Sequence, residues 1–318
     1  MRIPLLVIAL LLSILTVSCN PDDDESLIST SRRVFGTIPP SSSNDSAELV
    51  ELGRHLYMST ELSVNRTQSC NSCHPVDRAG ADGLATSPGA LGARGRRNSP
   101  SVFNVEHQLA QFWDGRSATL EEQASGPIVN PDEMAMPDAA AVAERLRHSP
   151  GIDRGLFAKA FPGEADPLTL DHAARAIAAF ERTLRTSDRF ERFQKGDATA
   201  LSREEKKGLR LFMDSGCASC HNGPLLGGNR FMKMGLTHPY DNVADKGRYE
   251  VTRREADAYV FKVPSLRNVA QTAPYFHDGR APHLGEAVDR MAWHQLGRKF
   301  DERERQLLVA FLETLTHE

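Results

Sequence analysis

The sequence predicts a mainly α-helical fold made of two related halves, and three observations predict it. The pentapeptide CNSCH at 70–74 returns as CASCH at 217–221. A similar apolar stretch precedes each, GRHLYM at 53–58 and GLRLFM at 208–213. Elsewhere, apolar residues recur at helical spacing. Each half therefore reads as a helix, a cysteine pair, a histidine, and a long loop that wraps something.

The chain opens MRIPLLVIALLLSILTVSC, with one arginine, an apolar run from Ile3 to Val17, and then small residues. The run is short for a bilayer span, which favours a cleaved secretion signal over a permanent transmembrane helix. Ser18 followed by Cys19 resembles a bacterial lipobox, in which the cysteine becomes the lipidated first residue of the mature chain. Residues 1–18 are thus expected to be a signal peptide, with Cys19 first in the mature protein and its lipid the only tie to a membrane. The body would then be exported and periplasmic. Residues 19–45 include PDDDE and PPSSSNDS, with little apolar content, and are expected to form a flexible tether.

The first half is placed at 46–188 and the second at 189–318, with RTSDRF as the boundary. A helix is expected from Leu170 to Leu184, with Ala173, Ile177, Phe180 and Leu184 facing inward. Near the C-terminus, Asp301 and Glu304 have the spacing of a capping box. Leu307, Leu308, Phe311, Leu312 and Leu315 then recur on one face, which marks core. The length of 318 residues suits one large domain or two of ordinary size, and a net charge of -4 gives no reason to expect nucleic acid or an anionic membrane as a partner. Function must come from specific residues.

Four chemistries compete for the cysteine pairs. Zinc sites place their pairs about 15 to 20 residues apart, whereas Cys73 and Cys217 are far more widely separated. A thioredoxin-like pair belongs beside a βαβ pattern, and none is visible. Disulfides suit an exported protein but give no reason for a histidine after each pair. The fourth chemistry uses every residue: two thiols at this spacing add to the two vinyl groups of one haem, and the adjacent histidine reaches the iron. Cys70, Cys73 and His74 would hold one haem c covalently, and Cys217, Cys220 and His221 a second. Beyond Cys19 no cysteine is left over.

Several strings between and after these motifs carry a resemblance: RNSPSVFN at 97–104, QFWDGR at 111–116, LEEQASGPIVNPDEM at 120–134, GCASCHNG at 216–223, LRNVAQTAPYFHDG at 266–279 and AVDRMAWHQLG at 287–297. In these the chain resembles the bacterial di-haem cytochrome c peroxidase family over nearly its whole mature length. The resemblance implies two cytochrome c-like helical domains. It also implies reduction of hydrogen peroxide to water, with electrons from a small cytochrome c or a copper protein, and often a homodimer.

The resemblance makes the first haem the peroxidatic one, with His74 proximal and Phe112, Gln123, Pro127, Glu133 and Met134 in the pocket opposite. Glu133 has an independent rationale, because splitting an O–O bond requires a proton to pass from one oxygen to the other and one carboxyl can take and return it. Ile128, Val129 and Met134 beside it would raise its pKa. The structural alternative is that Asn130 caps a helix with Pro131 and Glu133 in its first turn. On the second haem, Met291 matches the family's methionine ligand opposite His221, and a thioether favours ferrous iron. Met232 and Met234 compete for that place. Trp113 matches the tryptophan between the haems, and Asn98, Thr272 and Pro274 match a calcium site in which two of the three would bind through backbone carbonyls.

One departure stands out. Many members carry a histidine in the loop after the first motif that blocks the iron until the second haem is reduced. Here the loop reads TSPGALGARGRRNSP, and Ala90 occupies that place. An open first haem, needing no reductive activation, is therefore expected. His107 lies just before QFWDGR and is not expected to substitute. The same departure keeps alive the related di-haem enzymes that oxidise aromatic residues of a partner protein, although those use a tyrosine where this chain offers Met291. A non-enzymatic di-haem electron carrier is the third reading.

Overall fold

The computed structural model describes residues 23–318, so the expected signal peptide and the lipidated Cys19 lie outside the described residues. Among the described residues no helix is long and apolar enough to cross a membrane. The expected tether is corrected over residues 23–35. Asp23 caps helix α1 (Asp24–Phe35), accepting from the Glu25 N–H. Leu27, Ile28 and Phe35 from this helix are buried in the core of the second half. Phe35 meets Phe190 edge-on, with ring centroids 5.6 Å apart. The acidic patch read as disorder is the cap and first turn of a helix, where negative charge is favoured.

Around the first core lie α2 (Ala47–Met58), α3 (Cys70–Cys73), α4 (Leu120–Val129), α5 (Ala139–His148), α6 (Arg154–Ala160) and α7 (Leu170–Thr183). Ala173, Ile177 and Phe180 of α7 are buried as the stripe requires. The second core is built by α8 (Arg189–Gln194), α9 (Arg203–Asp214), α11 (Leu284–Met291) and α12 (Glu302–Glu313), with α10 (Tyr249–Thr252) outside it. A short antiparallel pair, β1 (Phe231–Lys233) and β2 (Val260–Lys262), closes a loop of the second half. Asp301 and Glu304 form the expected capping box on α12, and Leu308, Phe311, Leu312 and Leu315 are buried.

The two halves repeat each other more closely than the pentapeptides suggest. Gly53 of α2 and Gly208 of α9 mark the same helix crossing. A Cβ on Gly53 would stand 1.8 Å from the Ala176 carbonyl oxygen, and one on Gly208 would stand 2.0 Å from that of Leu307. Tyr57 then packs on Phe180 at 5.1 Å and Phe212 on Phe311 at 5.2 Å. The similar hexapeptides therefore encode a close backbone approach followed by an aromatic pair. Gly53→Ala is expected to destabilise the protein by about 2 kcal/mol or more, because overpacking against rigid backbone outweighs the roughly 1 kcal/mol gain in helix propensity. Denaturant unfolding measures this, and an unchanged midpoint would contradict the crossing.

A second repeat follows the haem motifs. One constant offset relates Asn104 to Asn268, Phe112 to Phe276, Gly115 to Gly279, Leu120 to Leu284 and Pro127 to Met291. The backbone obeys the same offset. Asn104 and Asn268 are both left-handed (φ 57° and 63°), as are Phe112 and Phe276 (64° and 73°). Isolated bridges join Gln111 to Ser117 and Tyr275 to Ala281. Leu120 and Leu284 each open a helix. The helix that carries Met291 in the second half thus carries Pro127 in the first.

Candidate active site

Each CxxCH is a short helical turn. His74 N–H donates to the Cys70 carbonyl and His221 N–H to the Cys217 carbonyl, both at 2.9 Å. His74 Nδ1 donates to the Gly80 carbonyl at 3.2 Å and His221 Nδ1 to the Leu226 carbonyl at 2.9 Å. A carbonyl can only accept, so the proton sits on Nδ1 and Nε2 keeps its lone pair. Burial holds both imidazoles below the ordinary histidine range, in the neutral form a metal needs. Cys70, Cys73, Cys217 and Cys220 are free thiols, so neither pair is spent on a disulfide. This donor set fits covalent haem in both halves.

In the second half, Cys217, Cys220, His221 and Met291 line one cavity of about 330 Å³. Met232 and Met234 line it as well, so the competition for the sixth position persists in three dimensions. Met291 ends α11, and a single π turn (Ala292–Leu296) follows it. Such turns recur at functional sites. The cavity extends to the seam between the halves, where Trp113, Asn98, Thr272 and Pro274 also border it. Trp113 Nε1 donates to the Asn98 carbonyl at 2.9 Å. Asn98 Nδ2 donates to the Leu84 carbonyl at 2.9 Å, which fixes the amide. Among the described residues, no group of three or more His, Cys, Asp or Glu side chains is placed to hold a metal ion. A calcium ion here would rely on neutral oxygens.

In the first half, the residues expected around the iron lie on two segments, and Phe112 also borders the cavity of the second half. Gln123 and Pro127 lie one turn apart on α4, and the Phe112 ring lies against Gly126 of the same helix. Arg116 stacks over Phe112 at 3.4 Å. Glu133 follows α4 in a turn, not in the first turn of a helix, so the capping alternative is corrected. Asn130 ends α4, its carbonyl accepts from Glu133 N–H at 3.0 Å, and Met134 N–H turns back to the Pro127 carbonyl at 3.1 Å. Burial raises the Glu133 carboxyl above its ordinary pKa, while Arg116 and Asn130 pull it down. Ile128 and Met134 are buried beside this turn. His107 faces Arg185 at 3.1 Å instead.

Some residues of this neighbourhood escaped the sequence. The Tyr57 hydroxyl donates to the His74 carbonyl at 2.6 Å and so steadies the histidine. Glu181 is buried with Oε2 unpartnered, and burial pushes its carboxyl up to about 8. Lys262 donates its buried Nζ to Gln108 and Ala110, and burial pushes its amine down to about 7. His277 meets Trp113 edge-on at 6.3 Å across the seam. The constant offset makes His277 the second half's counterpart of Trp113. The shared DGR after FW and FH was the visible signal.

Comparison with known proteins agrees with this geometry. A family model described as di-haem cytochrome c peroxidase matches residues 47–199. The chain is 45% identical over 274 residues to a cytochrome c551 peroxidase of Nitrosomonas europaea, covering 86% of this chain and 81% of that one. It is 45% identical over 271 residues to the cytochrome c551 peroxidase of Pseudomonas aeruginosa, covering 84% and 78%. Its fold matches the crystal structure of a MauG-like protein associated with microbial copper homeostasis, with a TM-score of 0.78 at 30% identity over 88% of this chain and 94% of that one. The chain therefore belongs to the di-haem cytochrome c peroxidase family.

Proposed function

We propose that the protein is a cytochrome c peroxidase that reduces hydrogen peroxide to water in the periplasm, with electrons from a small cytochrome c or copper protein. Cys70, Cys73 and His74 hold one haem c, and Cys217, Cys220 and His221 hold the other. When bound, the haem irons supply the oxidant-binding centre and the electrons. The single observation that carries the reading is the paired position on the repeated helix. Met291 brings a sulfur ligand to the second half, whereas the first half has Pro127, which cannot ligate, and Ala90 stands where a blocking histidine would be. One centre is thereby left open to an oxidant and the other closed.

Around the open position, the chain supplies a base and a shaped wall. Glu133, ionised, takes a proton from one peroxide oxygen and returns it to the departing one, which leaves as water. Phe112, held between Arg116 and Gly126, walls α4 and limits access to small oxidants. Gln123, one turn before Pro127, offers an amide to orient peroxide. Trp113 lies between the halves and shortens the electron path. A calcium ion held by the Asn98 side chain and by the Thr272 and Pro274 carbonyls would brace the seam beside it.

The test is steady-state turnover of hydrogen peroxide with reduced cytochrome c, started from the fully oxidised enzyme. Turnover without a reductive lag is expected. The missing histidine and the MauG-like structural neighbour favour one second reading, oxidation of aromatic residues on a partner protein. Modification of a tryptophan on a co-encoded protein, with negligible peroxide turnover on cytochrome c, would establish it.

A further inference from the structure

The loop that carries Ala90 is bound directly to the Glu133 turn. Gly89 is buried, and a Cβ there would stand 2.1 Å from the Asp132 carbonyl oxygen and 3.0 Å from that of Glu133. Its φ is not left-handed, so space alone demands glycine. Gly89 N–H donates to the Ala93 carbonyl at 2.8 Å and closes the loop on itself, and Ala90 N–H donates to the Glu133 carbonyl at 2.6 Å. Asn65 Nδ2 holds the Ala90 carbonyl from the other side, also at 2.6 Å. Among the described residues, the bond from Ala90 is the one that reaches the Glu133 carbonyl. Glu133 lies outside any helix, so its place depends on these contacts together with the bonds of the Glu133 and Ala135 N–H groups to the Asn130 carbonyl and of the Met134 N–H to the Pro127 carbonyl.

We propose that the Gly89–Ala90 segment positions Glu133: the bare Cα of Gly89 and the N–H of Ala90 form the seat on which the Glu133 turn rests. Gly89 and Ala90 are positioning residues, and the proposal rests on the reading of Glu133 as the acid–base group. The loop in which the resemblance would place a blocking histidine serves here to aim the carboxyl. Proton transfer is sensitive to such aim, because a displacement of about 1 Å can cost on the order of 100-fold in rate. A methyl group on Gly89 must push the Asp132 carbonyl by more than that to reach ordinary contact distance.

The experiment compares wild type, Gly89→Ala, Asn65→Ala, Glu133→Gln and the double variant G89A/E133Q, each as the di-haem protein, by the rate of reaction with hydrogen peroxide across pH. G89A is expected to be about 10- to 100-fold slower, with its acid limb displaced from that of wild type. In the E133Q background G89A is expected to change the rate less than about 2-fold, since groups acting as one unit are not additive. N65A, at an exposed position, is expected to lose several-fold and keeps the test valid should G89A fail to fold. A wild-type rate and pH profile in G89A, or in N65A, would overturn the proposal. So would full multiplication of the two effects in the double variant. Wild-type turnover in E133Q would overturn the reading of Glu133 itself, and the seat with it. An impaired E133Q beside an unimpaired G89A would overturn the seat alone.

Discussion

Glu133→Gln is expected to slow the reaction with hydrogen peroxide by about 10²- to 10⁴-fold, the range a positioned acid–base group contributes. Glutamine keeps the volume and removes the ability to take and return a proton. The pH dependence has a defined sign. On the proposed reading Glu133 works in its ionised form, and burial raises its pKa above the ordinary value. The wild-type rate should therefore fall as pH drops through a point above the usual value of about 4.3 for a glutamate. That acid limb should vanish in E133Q, while the spectrum of the second haem stays unchanged. Stopped-flow mixing with peroxide at a series of pH values reads both effects. A rate that keeps its acid limb without the carboxyl would remove Glu133 from the chemistry.

Met291→His is expected to lower the potential of the second haem by on the order of hundreds of millivolts, because axial-ligand identity spans about 0.8 V and a thioether is the ligand that favours ferrous iron. Turnover with reduced donor should collapse, since electrons would no longer enter readily. The first haem of the chemically reduced variant should still react with peroxide. A redox titration with donor kinetics separates these outcomes. Retention of the thioether-to-iron absorption band in the variant would instead assign the ligand to Met232 or Met234, which border the same cavity.

What was legible in the sequence was local or repeated. The two CxxCH turns, the capping box at Asp301 and the stripes of α7 and α12 all follow from neighbours a few residues apart, and the structure places them as read except at Leu184, which lies just past α7, and Leu307, both only half-buried. The docking of α1 was hidden because its apolar residues are few and charged residues surround them; only the distant core of Phe190 and Phe212 gives Leu27, Ile28 and Phe35 a place to go. The Glu133 turn was ambiguous for a related reason. NPDE satisfies helix-start preferences, but Asn130 already ends α4, and the bonds from Met134 to Pro127 and from Ala90 to Glu133 bend the chain elsewhere. The correspondence of Pro127 with Met291 was the least visible, because the side chains at the two positions differ. Left-handed backbone at Asn104, Asn268, Phe112 and Phe276 preserves it.

Electronic and spin-resonance spectra of the fully oxidised protein test the central claim most directly. One high-spin haem, with His74 as its protein ligand, and one low-spin haem, between His221 and Met291, are expected, with the high-spin signal responding to peroxide at once. Two low-spin haems, with peroxide inert until one electron has been added, would contradict it.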